Sequence, residues 1–359
     1  MTSERLQVTA TKPRYDFVDN MRAIGIVLVV VGHAPGFGGT AQEIIYGFHM
    51  PLFFFISGFL FKSEKLALGV TGYVGSLWRS LLVPYFFFAV LSLVYWWAAH
   101  GIASRSAAGA TRAWYEPMLP IIIGYGHVAN IGLWFFTCLA VTSLGYFLLR
   151  RYGSSRVTLS VAALSVVSFL LLYRESWPRM PWGADIAVVA LFYYALGNFW
   201  SEHGTRWSGA GGKVRKIVIA VTAFAVSISL TALNGWVSLL ELDFGEMPLL
   251  SIPTALAGIV GVMFASAIWR ANAVTRWLST NTIVIFPSHA LMFSVFTGIG
   301  VMAFGLPHDF KDSSTVYGIT YVALALALGY PAAVVLRSWF PWVFGRRPRA
   351  GTTDDRVAA

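Results

Sequence analysis

Along the chain, apolar positions collect into ten stretches of membrane length, at about 21–38, 44–61, 80–100, 131–149, 157–173, 183–200, 214–234, 249–269, 280–304 and 317–343. Most are too long and too uniformly apolar for strands or for the half-polar helices of a soluble surface, and each approaches the roughly 20 residues that a helix needs to cross hydrocarbon. The pattern predicts an all-α fold, a polytopic transmembrane bundle of about ten spans. One membrane domain fills residues 1–345, opening with a short polar tail over 1–18 and followed by a disordered tail over 346–359. The run 120–124 reads as a re-entrant piece or an eleventh element. No linker rich in Pro or Ser marks a second domain, and no repeat of fixed period is visible.

Composition agrees: 57% of the 359 residues are hydrophobic and 12% charged, with mean hydropathy +0.66. That is too much apolar surface for a soluble globule. The basic residues alternate with the spans. Putting both termini in the cytoplasm places twenty of the Lys and Arg residues inside and five outside, namely Arg105, Arg112, Arg174, Arg179 and Lys311. The positive-inside rule therefore predicts cytoplasmic ends and an even number of spans. The net charge of +10 is a topology signal rather than a sign of nucleic-acid binding, although cytoplasmic Lys and Arg also attract anionic substrates and lipid headgroups. The single cysteine, Cys138, excludes an intramolecular disulfide and any cysteine-based zinc site. Glu241, Asp243 and Glu246 in one outer loop, and Asp309 with Asp312 in another, read as solvated loops rather than as a metal site.

Against this apolar background a few polar residues stand out. Arg22 and His33 fall on the first predicted span, eleven residues apart, which at about 100° per residue returns to nearly the same face about 16 Å along the axis. Ionisable groups inside a span mark function by default. His33 and His49 lie near the outer ends of the first two spans and His289 near the middle of the ninth. A neutral imidazole in a polar cavity can take a proton from a hydroxyl and return it to a leaving group, while the alternative for each is a bond to a neighbouring helix. The guanidinium of Arg22 forks onto phosphate or carboxylate oxygens. Asp19, one turn earlier, either pairs with it to anchor the helix end or aims it at an anionic ligand. Pro and Gly between His33 and Thr40, and again in Phe48-His-Met-Pro-Leu-Phe-Phe-Phe-Ile-Ser-Gly58, loosen the helix ends. Such backbone in a membrane implies cover by protein or a water-filled pocket. Ser57 is expected to donate a hydrogen bond across the bundle and Gly58 to allow close helix approach. The long outer loop, about 101–130, carries Trp114, Tyr115, His127 and Asn130, either as an interface belt or at a substrate entrance.

The motif Asp19-x-x-Arg22 with His33, followed by the Phe48–Gly58 block, resembles the signature of the acyltransferase 3 family of integral membrane O-acyltransferases. Asn130 with Leu133-Trp-Phe135, Leu196-Gly197 and Asn281-Thr-Ile-Val-Ile-Phe-Pro-Ser-His289 agree in order along nearly the whole chain. Ala23 stands where a Gly is common in the family, and Thr282 and Phe286 where Ser and Tyr are more usual.

The resemblance implies about ten spans in a bacterial cytoplasmic membrane, with no permanently bound cofactor. It also implies acyl-CoA, usually acetyl-CoA, as donor substrate, and a hydroxyl of a surface polysaccharide or its lipid-linked sugar precursor as acceptor. His33 matches the family's essential histidine and Arg22 its arginine, so His33, Arg22 and Asp19 are the expected catalytic set. His49, Ser57, Asn130, Trp134 and His289 are the expected substrate-binding residues, and no metal is expected. Arg22 would hold the CoA phosphates while the thioester reaches His33, which acts either as general base or as acyl carrier. Membrane lipids and polysaccharide-assembly proteins are the expected partners. Two competing readings remain, a secondary transporter or flippase for an anionic or glycolipid substrate, and an acyltransferase acting on a small hydrophobic alcohol or antibiotic.

Overall fold

The computed structural model describes residues 15–103, 115–116, 118–125, 130–204, 211–307 and 309–344; these are predominantly helical, and among them the one β-type pairing is an isolated bridge between Ser238 and Asp243. Trp114, His127, His308 and both terminal tails lie outside the described residues. Helix α1 (Asp16–His33) is followed by α2 (Thr40–Tyr46) and α3 (His49–Phe59), then by α4 (Gly69–Leu77), a π-helical turn (Trp78–Leu82) and α5 (Val83–Ala103). A short α6 (Met118–Ile122) precedes α7 (Trp134–Tyr152), α8 (Ser155–Leu172), α9 (Ala184–His203) and α10 (Lys213–Asn234). The last three are α11 (Ser251–Ser266), α12 (Ala273–Phe304) and α13 (Thr315–Trp339).

Eight described segments are long and apolar enough to cross a membrane, and they match the third to tenth predicted stretches. The first two behave differently. Helix α1 has 18 residues but carries Asp16, Asp19 and Arg22 in its first half. The second stretch is not one continuous helix, because it breaks at Gly47-Phe48 into α2 and an eleven-residue α3, which runs from His49 beside His33 back to Phe59 beside Phe17. Eleven residues rise about 16 Å, roughly half the hydrocarbon thickness. Pro51 explains where the helix restarts: in the first turn of α3 its missing N–H costs no helical bond. The run 120–124 resolves into α6, whose Ile121 carbonyl accepts the Tyr85 hydroxyl.

Helix α1 lies inside the bundle, packed against α3, α11, α12 and α13. Its run Ile-Val-Leu-Val-Val-Val would favour a strand in water; in hydrocarbon only a helix satisfies all of its own backbone groups. The helix stops at His33 because Pro35 disfavours α geometry in the preceding residue, and Ala34 is extended (ψ 135°). At the other end Asn20, fully buried, donates to the Ser266 and Trp269 carbonyls at 2.9 and 3.0 Å, closing the C-terminal end of α11. Helices α3 and α9 touch backbone to backbone: a Cβ on Gly58 would run into the Tyr194 carbonyl, and one on Gly197 into that of Phe55.

Burial separates core from periphery. In α7 and α9 72% and 61% of the most apolar stretch is buried, against 28% in α8 and α10 and 22% in α13. Those outer helices present Leu164, Val221 and Ile319 outward. In water such a girdle would drive aggregation, whereas lipid chains accept it without cost. The protein is an integral membrane helical bundle.

Candidate active site

Three histidines from distant parts of the chain meet where α1, α3 and α12 converge. The His33 ring centroid lies 5.1 Å from that of His289 and 6.1 Å from that of His49. Each ring is fastened at the same atom. His33 Nδ1 pairs with the Val29 carbonyl at 2.8 Å, His49 Nδ1 with Ile45 at 2.9 Å and His289 Nδ1 with Phe286 at 2.6 Å. A carbonyl oxygen only accepts, so Nδ1 carries the proton in each neutral ring and Nε2 the lone pair. The Nε2 of His289 is buried with no hydrogen-bond partner, an unused acceptor beside His33.

The helix ends explain this convergence. Pro35 makes His33 the last residue of α1, and the Gly47-Phe48 break makes His49 the first of α3. His289 sits two residues beyond Pro287, inside α12. There Asn130, only 3% exposed, donates to the Pro287 carbonyl at 2.7 Å and to Ser92 Oγ at 3.1 Å, and accepts from the Gly132 N–H at 3.1 Å.

His33 lines two cavities. One, of about 180 Å³, also takes His49, Trp134, Tyr46, Trp236 and Glu241 into its wall. The other, of about 360 Å³, is lined by Gln42, Ser294, Thr297, Tyr321, Lys311 and Asp312 among others. A third cavity, of about 260 Å³, contains Arg22 and Ser57 and lies on the far side of Phe286, which lines both it and the His33–His49 cavity. Phe286 packs in an aromatic layer with Phe53, Phe135 and Phe136, at centroid distances of 6.0, 5.1 and 6.2 Å. Beyond Arg22 a further cavity of about 320 Å³ carries Arg79 and Arg337 and shares Ile283 with the Arg22 cavity. The molecule thus has a cationic end and an imidazole end, separated along α1 by about 16 Å and in cross-section by the Phe286 layer.

Of the residues expected from sequence, His33, His49, His289 and Trp134 come together at one level. Asn130 stands behind His289 as a support. Arg22 and Ser57 belong to the opposite cavity. Ser57 does not reach across the bundle as expected: its hydroxyl donates to the Phe53 carbonyl one turn back at 2.8 Å, the usual fate of a helical serine with no better acceptor in reach. Asp19, buried at 7% exposure, accepts the Ser279 hydroxyl at 2.6 Å and ties α1 to α12 at Arg22's end of the helix. Tyr46, Gln42, Trp236 and Glu241 were not expected at the site. Gln42 and Tyr46 are four residues apart on α2, so their common face is legible once that helix is recognised. Glu241, expected only as part of a solvated loop, is exposed and yet lines the cavity. Among the described residues no group of three or more His, Cys, Asp or Glu side chains is arranged to hold a metal ion.

No curated protein and no solved structure matches this chain. The model of one family, described as an acyltransferase domain, matches residues 15–338, a range that holds both the imidazole end and the cationic end of the bundle. The chain belongs to the acyltransferase 3 family and is a membrane acyltransferase.

Proposed function

We propose that the protein moves an acyl group, in the simplest case acetyl, from cytoplasmic acyl-CoA to a hydroxyl of a surface polysaccharide or its lipid-linked sugar precursor, in a bacterial cytoplasmic membrane. The observation that carries this reading is His33 itself, which stands in the wall of two cavities with Nδ1 held by Val29 and with the cavity of Arg22 one aromatic layer away. In this scheme the CoA phosphates lie at Arg22, with Arg79 and Arg337 in the adjoining cavity adding positive charge. The pantetheine arm passes Phe286, and the separation of Arg22 from His33 suits an extended arm rather than a compact dyad.

At the imidazole end His33 acts as general base. Its Nε2 takes the acceptor's hydroxyl proton as the oxygen attacks the thioester carbonyl; the C–S bond then breaks and the CoA sulfur leaves with that proton. Donor and acceptor meet in adjoining cavities, so no acyl-histidine stage is required. The unpartnered Nε2 of His289 offers an acceptor for the imidazolium that His33 becomes. Membership of an acyltransferase family favours this reading over a transporter or flippase.

The decisive measurement is acetyl transfer by purified His33→Ala in nanodiscs, with release of free CoA followed by a thiol reagent. Transfer is expected to fall at least a thousandfold while the protein elutes as a folded monodisperse species. A folded His33→Ala variant with full turnover would overturn the proposal.

A further inference from the structure

The segment that closes the His33–His49 cavity is the hairpin between α10 and α11, and it is built as a fixed element. At its base the buried Asn234 side chain donates to the Phe244 carbonyl and accepts from the Met247 N–H, both at 2.8 Å. Gly245, at φ +79°, lies so close to the Asn234 carbonyl that no Cβ fits there. Ser238 and Asp243 exchange backbone bonds of 2.8 and 3.0 Å, and the tip is held by Arg179, which donates to the Leu240 carbonyl at 2.9 Å. The turn so braced leaves Trp236 half-buried and Glu241 exposed, both in the cavity wall. Trp236 rests against Tyr46 at 4.5 Å, and its indole N–H faces the Glu241 carboxylate at 3.4 Å.

We infer that this hairpin is the acceptor-recognition element, and that it selects a single neutral sugar ring over one bearing a carboxylate. The inference rests on the acyl-transfer reading above and adds to it the site and charge of the acceptor. An indole beside a carboxylate offers what a sugar ring needs, an apolar surface for its C–H face and an anionic acceptor for a hydroxyl. A small hydrophobic alcohol brings no second hydroxyl for that carboxylate to accept, and a uronate would be repelled by it. At about 180 Å³ the cavity is below the roughly 300–1,000 Å³ of drug-sized clefts, so it holds one ring rather than a chain. It adjoins Phe286, where the thioester arrives, and His33, which takes the proton, so a ring seated there has its hydroxyl between base and donor.

The test uses full-length protein in nanodiscs with acetyl-CoA and two matched probes, octyl β-glucopyranoside and octyl β-glucuronide, with the acetylated products counted by mass spectrometry. Wild type is expected to acetylate the glucoside at least tenfold faster than the glucuronide. Glu241→Gln, which keeps the shape and an acceptor for the indole, is expected to cut that ratio about tenfold, in line with loss of one charge-assisted hydrogen bond together with removal of the repulsion. Trp236→Ala is expected to raise the KM for the glucoside about tenfold and Trp236→Phe to restore most of the loss. A ratio unchanged by Glu241→Gln, with His33→Ala still inactive, would overturn the hairpin's role and leave acyl transfer standing. Wild type that transfers to neither probe and releases no CoA would overturn both.

Discussion

Replacing Asn130 with Ala tests whether the imidazole cluster depends on its support. The side chain makes three buried hydrogen bonds, to Ser92 Oγ, to the Pro287 carbonyl and from the Gly132 N–H. At about 0.5–1.5 kcal/mol for each bond, with membrane interiors toward the lower end, the deletion costs about 1.5–3 kcal/mol. The effect is local, because Pro287 already weakens α12 by its missing N–H and Asn130 steadies the carbonyl two residues before His289. A shift of His289 by about 1 Å from its 5.1 Å contact with His33 lowers kcat between about ten- and a hundredfold. The KM for acetyl-CoA should change less than twofold, since Arg22 lies across the Phe286 layer. Steady-state kinetics in nanodiscs and thermal unfolding in detergent read the two effects. Unaltered kcat in a destabilised Asn130→Ala protein, or a KM that rises as far as kcat falls, would refute the reasoning.

Changes at four further positions probe the cationic end, the helix packing and the aromatic layer. Arg22→Lys keeps the charge but loses the planar fork, so the KM for acetyl-CoA should rise about tenfold, measured by CoA release across donor concentrations. Gly58→Ala drives a methyl into the Tyr194 carbonyl and should cost about 1–3 kcal/mol, seen as lower expression and earlier thermal unfolding. Gly145→Ala, with nothing within 4 Å of the added Cβ, should match wild type in the same assay. Phe286→Ala opens the layer between the cavities and should raise acceptor-independent CoA release several-fold, whereas Phe286→Trp should depress transfer.

Much of this architecture is legible in the chain because hydrocarbon leaves the backbone few choices. Eight apolar stretches became helices near their expected bounds, and His33, His49 and His289 were recognisable as expensive residues at helix ends or beside a proline. The second stretch misled only in its continuity: its composition is uniformly apolar, and the geometry at Gly47-Phe48 and Pro51 reveals two helices, the second of which returns to Phe17 at the start of α1. Ser57 misled because a helical hydroxyl finds its own carbonyl before a neighbour's. Trp236 and Glu241 were invisible as site residues, since their place depends on a hairpin secured by Asn234 and Arg179, contacts between residues as far as 61 positions apart.

The layer of Phe53, Phe135, Phe136 and Phe286 has a consequence for the cell as well as for the reaction. Water-lined recesses that enter a bilayer from opposite ends shorten the low-dielectric path that holds the membrane potential, and each unit charge crossing 100 mV releases about 2.3 kcal/mol. The four rings present no hydroxyl or amine on which a proton could hop. In the proposed reaction they would act as an electrical insulator, letting a neutral acyl arm past while denying protons a wire. Acyl transfer past such a layer would cross the barrier without discharging it.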